Sequence, residues 1–354
     1  MFGLAALIPS PPVLVPELCG GLPEADDTHL AVQVPPLREA VLAAVRELAG
    51  VASRWVVVGV GAVGPGFDDE PGVSGGDGRA PDSEVDAISG SPAAHGAGVA
   101  FDAVAIGTVR RPPEPNASRS DGLAFDVEVG GVSGGAPQQG ASSGRARAVD
   151  GGMGSASAGA RAGLDDVRLF DAGTVGTFRG YGVDLRVGLS EAALEGDGAA
   201  DAGLPLAVLI GGWARGCAGD GVSVDAWVVD EDASGCVQVG ERLRRELDAD
   251  AGTCGVLVIA DGAATLSTSA PGYLDPRARA VQDRIDDALS AGDLTVLTTL
   301  DTELCAELGV SGRAAYQVLA GLFADDAPKV ETLYRAAPFG VGYQVSTWRP
   351  GAGS

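Results

Sequence analysis

The stretch from Gly64 to Leu164 sets the first limit on what this chain can fold into. It is dominated by Gly, Ala, Ser, Pro and Asp, and large aliphatic residues are sparse. Such a composition cannot bury enough apolar surface to offset the entropy lost on ordering. We read 65–164 as a low-complexity, disordered insertion on a surface loop, with room for one short strand at Val99 to Val109. A structureless loop of this length normally counts against an assignment, but here the composition itself supports it. The core must then come from the flanking residues, joined in a single domain over 1–350.

Those flanks alternate between two periodicities. Leu4 to Ile8 is an apolar run closed by Pro9-Ser10-Pro11-Pro12 and reads as a buried strand. Leu37 to Leu48 has apolar residues at 37, 41, 45 and 48, one face of a helix. Trp55 to Val60 is rich in β-branched residues without interruption, the pattern of a strand buried on both faces. Beyond the insertion, order returns near Val167. Strands are expected at Asp184 to Leu189, Ala226 to Val229, Val256 to Ala260 and Gly342 to Trp348. Helices are expected at Leu206 to Arg215, Val237 to Leu247, Arg277 to Leu289, Leu294 to Leu300, Thr302 to Leu308 and Arg313 to Phe323. Strands alternating with helices predict an α/β fold, a mostly parallel or mixed central sheet flanked by helices.

The charge balance narrows the partners. With 48 acidic against 24 basic residues, the formal net charge is −24. Nucleic acid and anionic membrane surfaces both call for clustered Lys and Arg, so neither is expected as a partner. Lys329 is the only lysine, which fits either a GC-rich genome or a salt-adapted surface. The five cysteines, Cys19, Cys217, Cys236, Cys254 and Cys305, form no CxxC pair, which predicts reduced thiols in a cytoplasmic protein. The run Leu4 to Ile8 is too short for a signal peptide or a membrane span.

Few motifs carry chemistry. Gly59, Gly61 and Gly64 spell GxGxxG after a strand, but Pro65-Gly66 follows where a dinucleotide site needs a helix to open. His29 and His95 are the only histidines, and neither has a partner at metal-ligand spacing. Neither is expected to ligate metal or to serve as a general base. Cys254 and Cys305 read as buried core thiols rather than nucleophiles. Asp261-Gly262, at the end of the strand Val256 to Ala260, has two readings. An acid outside the carboxyl end of a parallel strand is well placed to hold a ligand; the alternative is a helix cap or an Asx turn.

Several separated stretches line up with one family. Ala6 to Glu17, an apolar strand followed by Pro-Ser-Pro-Pro and a Pro-Glu, resembles the opening of the catalytic subunit of class III extradiol ring-cleavage dioxygenases, where the loop reads Pro-His-Pro-Pro. Trp55 to Gly61 is similar to their second metal-bearing strand, which ends in Ser-Pro-His. Val256 to Leu266, which contains Asp261-Gly262, resembles the strand ending Gly-Asp-x-Ser-His, and Ala270 to Asp275 follows it as in the family. Leu308 to Arg313 resembles the late Gly-Glu-Cys-Gly turn, and 342–345 the closing strand. The resemblance covers residues 1–64 and 165–350, and order and spacing carry it.

In that family two histidines and a glutamate hold Fe(II), with open positions for substrate and oxygen, and a further histidine acts as base. The resemblance sets Ser10 and Gly61 at the two histidine positions, Val310 at the glutamate and Ala264 at the base. Glu307 lies near the glutamate position. It therefore implies a scaffold without the family's metal. What it leaves is a cleft lined by Ser10, Pro11, Gly61, Asp261 and Thr265, with Arg313 near the rim. Arg179 and Tyr181, in Gly176 to Gly182, are further candidates, although the segment also reads as a tight Gly-rich turn. The expected function is a pseudoenzyme that binds a small molecule or a protein partner. The alternatives are a metal-free enzyme using Asp261 and Arg313, and an aromatic ring-opening dioxygenase completed by a partner chain.

Overall fold

The computed structural model describes residues 1–19, 30–61 and 166–351. The expected insertion at 65–164, its strand Val99 to Val109 and both histidines lie outside the described residues.

The first βαβ unit is β1 (Phe2–Ile8), α1 (Val34–Val51) and β2 (Arg54–Val60). Three short strands follow, β3 (Val167–Phe170), β4 (Val175–Thr177) and β5 (Arg186–Gly188), then the helices α2 (Glu191–Glu195) and α3 (Leu206–Ala218). Alternation resumes with β6 (Ser223–Val229), α4 (Cys236–Ala249) and β7 (Cys254–Ile259). The helices α5 (Ala278–Ala291), α6 (Leu294–Thr298), α7 (Thr302–Glu307) and α8 (Arg313–Leu322) precede the final hairpin, β8 (Lys329–Ala336) and β9 (Tyr343–Arg349).

Seven of these strands form one mixed sheet in the order β3-β6-β2-β7-β1-β9-β8. The four in the middle, β6, β2, β7 and β1, are mutually parallel. The flanking strands β3, β9 and β8 are antiparallel to their neighbours. Side chains on a strand alternate between faces, and here both faces are covered. Leu4, Ala6, Ile8, Trp55, Val57, Leu257 and Ile259 pack in one core with α1 and α3. Ala5, Leu7, Val56, Val58, Val256 and Val258 pack in the other with α4, α5 and α8. That explains why β1, β2 and β7 read as apolar runs: their buried residues face a helical layer on either side, and Arg54, at the start of β2, is exposed.

Two expectations change. The strand expected at Asp184 to Leu189 shortens to β5, which pairs with β4 in a separate two-stranded sheet. Cys254, expected just before a strand, opens β7 and is buried. Gly59 also has a structural explanation. A Cβ there would stand 2.2 Å from Ala207 Cβ, so the glycine lets α3 lie close on β2. Among the described residues no helix is long and apolar enough to cross a membrane.

Candidate functional site at the carboxyl edge of the sheet

The parallel register pairs Ile8 with Ile259, so the residues leaving β1 and β7 emerge side by side. Two positions on, Ser10 meets Asp261. The Ser10 backbone N–H donates to Asp261 Oδ1 at 2.8 Å, and its hydroxyl to Oδ2 at 2.5 Å. Both carboxylate oxygens are thus engaged by one residue. This is neither a helix cap nor an Asx turn, the two structural readings open from sequence. It is a clamp between neighbouring strand ends. The helix after β1 belongs to one face of the sheet and the helix after β7 to the other. Strand ends of that kind form the crevice in which open α/β sheets bind ligands.

Burial pushes the Asp261 carboxyl above the ordinary carboxylate range, against the pull of the two Ser10 donors. Two phenols share its field. Tyr316 is 1 % exposed and Tyr343 5 % exposed. Burial first, and the Asp261 charge second, raise both hydroxyls above the usual tyrosine value. Neither was anticipated, because Tyr316 sits inside a helix and Tyr343 inside a strand, where an aromatic reads as core.

A second segment, 308–313, lies over the end of β7. Leu308 accepts from Ala264 N–H and from the Thr265 hydroxyl, both at 3.0 Å. Gly312 N–H donates to the Asp261 carbonyl at 2.8 Å. Gly309, at φ 65°, makes the left-handed turn that closes the segment, and a Cβ on it would come within 3.1 Å of Ala264 Cβ. On the opposite side, Gly262 N–H donates to the Gly342 carbonyl and Gly342 N–H to that of Ala263, which ties this loop to the start of β9. Gln282 from α5 accepts the Ala263 N–H at 2.7 Å and donates to Asp286 at 2.7 Å. Asp286 in turn receives Arg335 Nε at 3.1 Å. The loop carrying Asp261 is therefore held from three directions.

Between 308–313 and the end of β6 lies a cavity of about 230 Å³. Its walls include Glu231, Asp232, Cys305, Val310, Ser311 and Arg313. Arg313, expected at a rim, is instead 4 % exposed. Its Nη1 donates to Gln317 Oε1 at 2.9 Å, and its Nη2 to the carbonyls of Glu231 and Ala233. Cys305 is buried in the same wall, and burial raises its thiol above the ordinary value.

The other expected residues divide. Gly61 stands at the same edge, at the end of β2, where its N–H donates to the Val229 carbonyl at 3.1 Å. Thr265 is buried with its hydroxyl spent on Leu308, so it fastens the loop rather than facing a ligand. Pro11 is buried in the turn after Ser10, its carbonyl accepting Leu14 N–H at 2.9 Å. Arg179 forms a two-point, exposed pair with Asp184, with both contacts at 2.8 Å. Tyr181 packs edge-on against Phe178, with centroids 5.9 Å apart. No described hydrogen bond, ion pair or ring contact joins these two residues to Ser10 or Asp261, and Gly182, at φ 88°, completes the tight turn.

The positions that the resemblance makes metal ligands offer no ligand set. Gly61 has no side chain, Val310 presents an isopropyl group, and the Ser10 hydroxyl is committed to Asp261. Glu307 is exposed and ion-paired with Arg277. Fe(II) does not fit this donor set. The chain matches no protein-family model and no curated protein sequence, so the chemistry of the carboxyl edge stands on its own geometry.

Proposed function

We propose that this chain is a divergent relative of the class III extradiol dioxygenase catalytic subunit that binds a small molecule at the carboxyl edge of its sheet, without iron and without ring cleavage. One observation carries the reading: Ser10 closes both oxygens of Asp261 where a ring-cleaving site would open a metal position. The edge keeps the features of a ligand site, a switch-point crevice with a cavity beside it. All five cysteines are free, which agrees with a cytoplasmic setting.

The test is an anaerobic Fe(II) titration of the untagged protein, followed by oxygen uptake with catechols. The expected result is no saturable iron binding and no uptake. Iron near one equivalent per chain with catechol-dependent uptake would overturn the reading.

The raised Asp261 carboxyl favours a second reading, a metal-free enzyme with Asp261 as proton donor and Arg313 as a fixed positive charge. That reading expects Asp261→Asn to abolish turnover while circular dichroism shows the fold intact.

A further inference from the structure

Arg313 is a buried charge at this edge with no carboxylate among its hydrogen-bond partners. It is 4 % exposed, yet all its hydrogen-bond acceptors are neutral: an amide oxygen and two backbone carbonyls. A buried charge without a counter-charge is costly, and most are paired. A guanidinium has five N–H donors. The Nε–H and one Nη1 hydrogen are not used by any of those three bonds. Arg313 is also the first residue of α8, ten residues long, whose N-cap Gly312 provides no side-chain cap. The spare guanidinium donors belong to a residue of the cavity wall, whereas the Gly312 and Arg313 N–H groups at the start of the helix are spent on the Asp261 and Val310 carbonyls.

The opposite sign stands beside them. Glu231 and Asp232 line the same cavity, and both are exposed at the end of β6. They repel a simple anion such as phosphate, and the net charge of −24 adds to that repulsion. A molecule carrying both charges satisfies both walls. The cavity, about 230 Å³, is smaller than the roughly 300 Å³ at which pockets for drug-sized ligands begin. Cys305, Ala306 and Val310 supply apolar contact for a short side chain.

We propose that this cavity binds a free amino acid as its zwitterion, with the carboxylate on Arg313 and the ammonium on Glu231 and Asp232. The inference rests on reading the carboxyl edge as a small-molecule site, and it names the ligand class.

The experiment is titration calorimetry of the full chain at low salt with each common proteinogenic L-amino acid. The amide and N-acetyl forms of the best binder serve as controls, since each removes one charge. The expected result is saturable binding of at least one amino acid and a loss of about tenfold or more for each control, the scale of one charge-assisted hydrogen bond. The double variant Glu231→Gln, Asp232→Asn alters only exposed side chains and should fold normally. It should lose affinity for the amino acid to about the level of the N-acetyl control. Arg313→Lys, checked by circular dichroism, should weaken the amino acid and the N-acetyl form alike. No binding by any amino acid overturns the proposal, as does equal binding of the two controls and the parent. If amino acids fail while another small molecule binds and Asp261→Asn abolishes that binding, this inference falls and the small-molecule reading stands. Iron binding with catechol-dependent oxygen uptake removes both.

Discussion

Ser10 and Asp261 hold each other through two hydrogen bonds across 251 positions of sequence, and the consequence is a proton. Burial raises the Asp261 carboxyl, so the folded chain binds that proton more tightly than the unfolded chain does. The stabilisation is therefore fully present below the ordinary carboxylate value, about 4, and is lost as pH rises through the raised folded value. Asn at this position keeps the shape, can still accept the Ser10 N–H, and has no proton to lose. Urea unfolding of Asp261→Asn and the parent at stepped pH should show their difference moving in favour of the variant as pH rises above the ordinary carboxylate value of about 4. A difference that stays flat with pH would mean that Asp261 ionises as freely in the folded chain as in the unfolded one. Both residues of this clamp could be singled out in the sequence, Asp261 because it ends an apolar run and Ser10 because the resemblance sets it at a histidine position. Their contact could not, because it depends on β1 and β7 being neighbours, and no local pattern encodes a parallel pairing across most of the chain. Arg313 was legible as a candidate but not as a buried one. It begins a helix buried from Arg313 to Leu322, so the usual split into a polar and an apolar face gives no warning.

Among the described helices, α4 and α8 make the most extensive contact, and two glycines explain it. A Cβ on Gly240 would stand 2.1 Å from the Val318 carbonyl oxygen, and one on Gly321 would stand 2.0 Å from that of Val237. Each helix thus lets the other's backbone reach its own. Glycine inside a helix ordinarily costs about 1 kcal/mol relative to alanine, so propensity alone marks both positions as weak points. The packing reverses that judgement. Gly321→Ala should destabilise the protein by about 1–3 kcal/mol, the range for overpacking a filled core, despite its better helix propensity. Urea denaturation of the variant measures it, and a gain in stability would show that the helices can separate at no cost. The long helices were legible because their apolar residues recur on one face, as at 37, 41, 45 and 48 in α1. The edge strand β8 was not, because Lys329–Ala336 buries none of its residues fully and offers no apolar run. The short β3 and β4 escaped for a related reason: three or four residues are too few to establish an alternation.

For the whole molecule, the question is how a sheet survives the interruption between β2 and β3. The strands on either side of the tract meet on β6. Gly61 N–H donates to the Val229 carbonyl, and Asp230 N–H donates to that of Asp166, so the chain leaves and re-enters on either flank of one strand end. Neighbouring strands lie about 4.8 Å apart. Two such spacings put the exit and the re-entry within about 10 Å of each other, a gap that a few residues can bridge. Closing a short loop also costs less entropy than closing a long one, though only by about 0.6 kcal/mol per doubling of length. Replacing 62–165 with a Gly/Ser linker of about eight residues, long enough for that span, should therefore leave the sheet, the Ser10–Asp261 clamp and the Arg313 cavity intact. The expected outcome is a cooperative thermal transition within a few degrees of the parent's. Binding at the carboxyl edge should persist. A shortened chain that unfolds or loses cooperativity would mean that residues within 62–165 contribute to the core, and that the two apolar layers over β1, β2, β6 and β7 do not by themselves hold the fold.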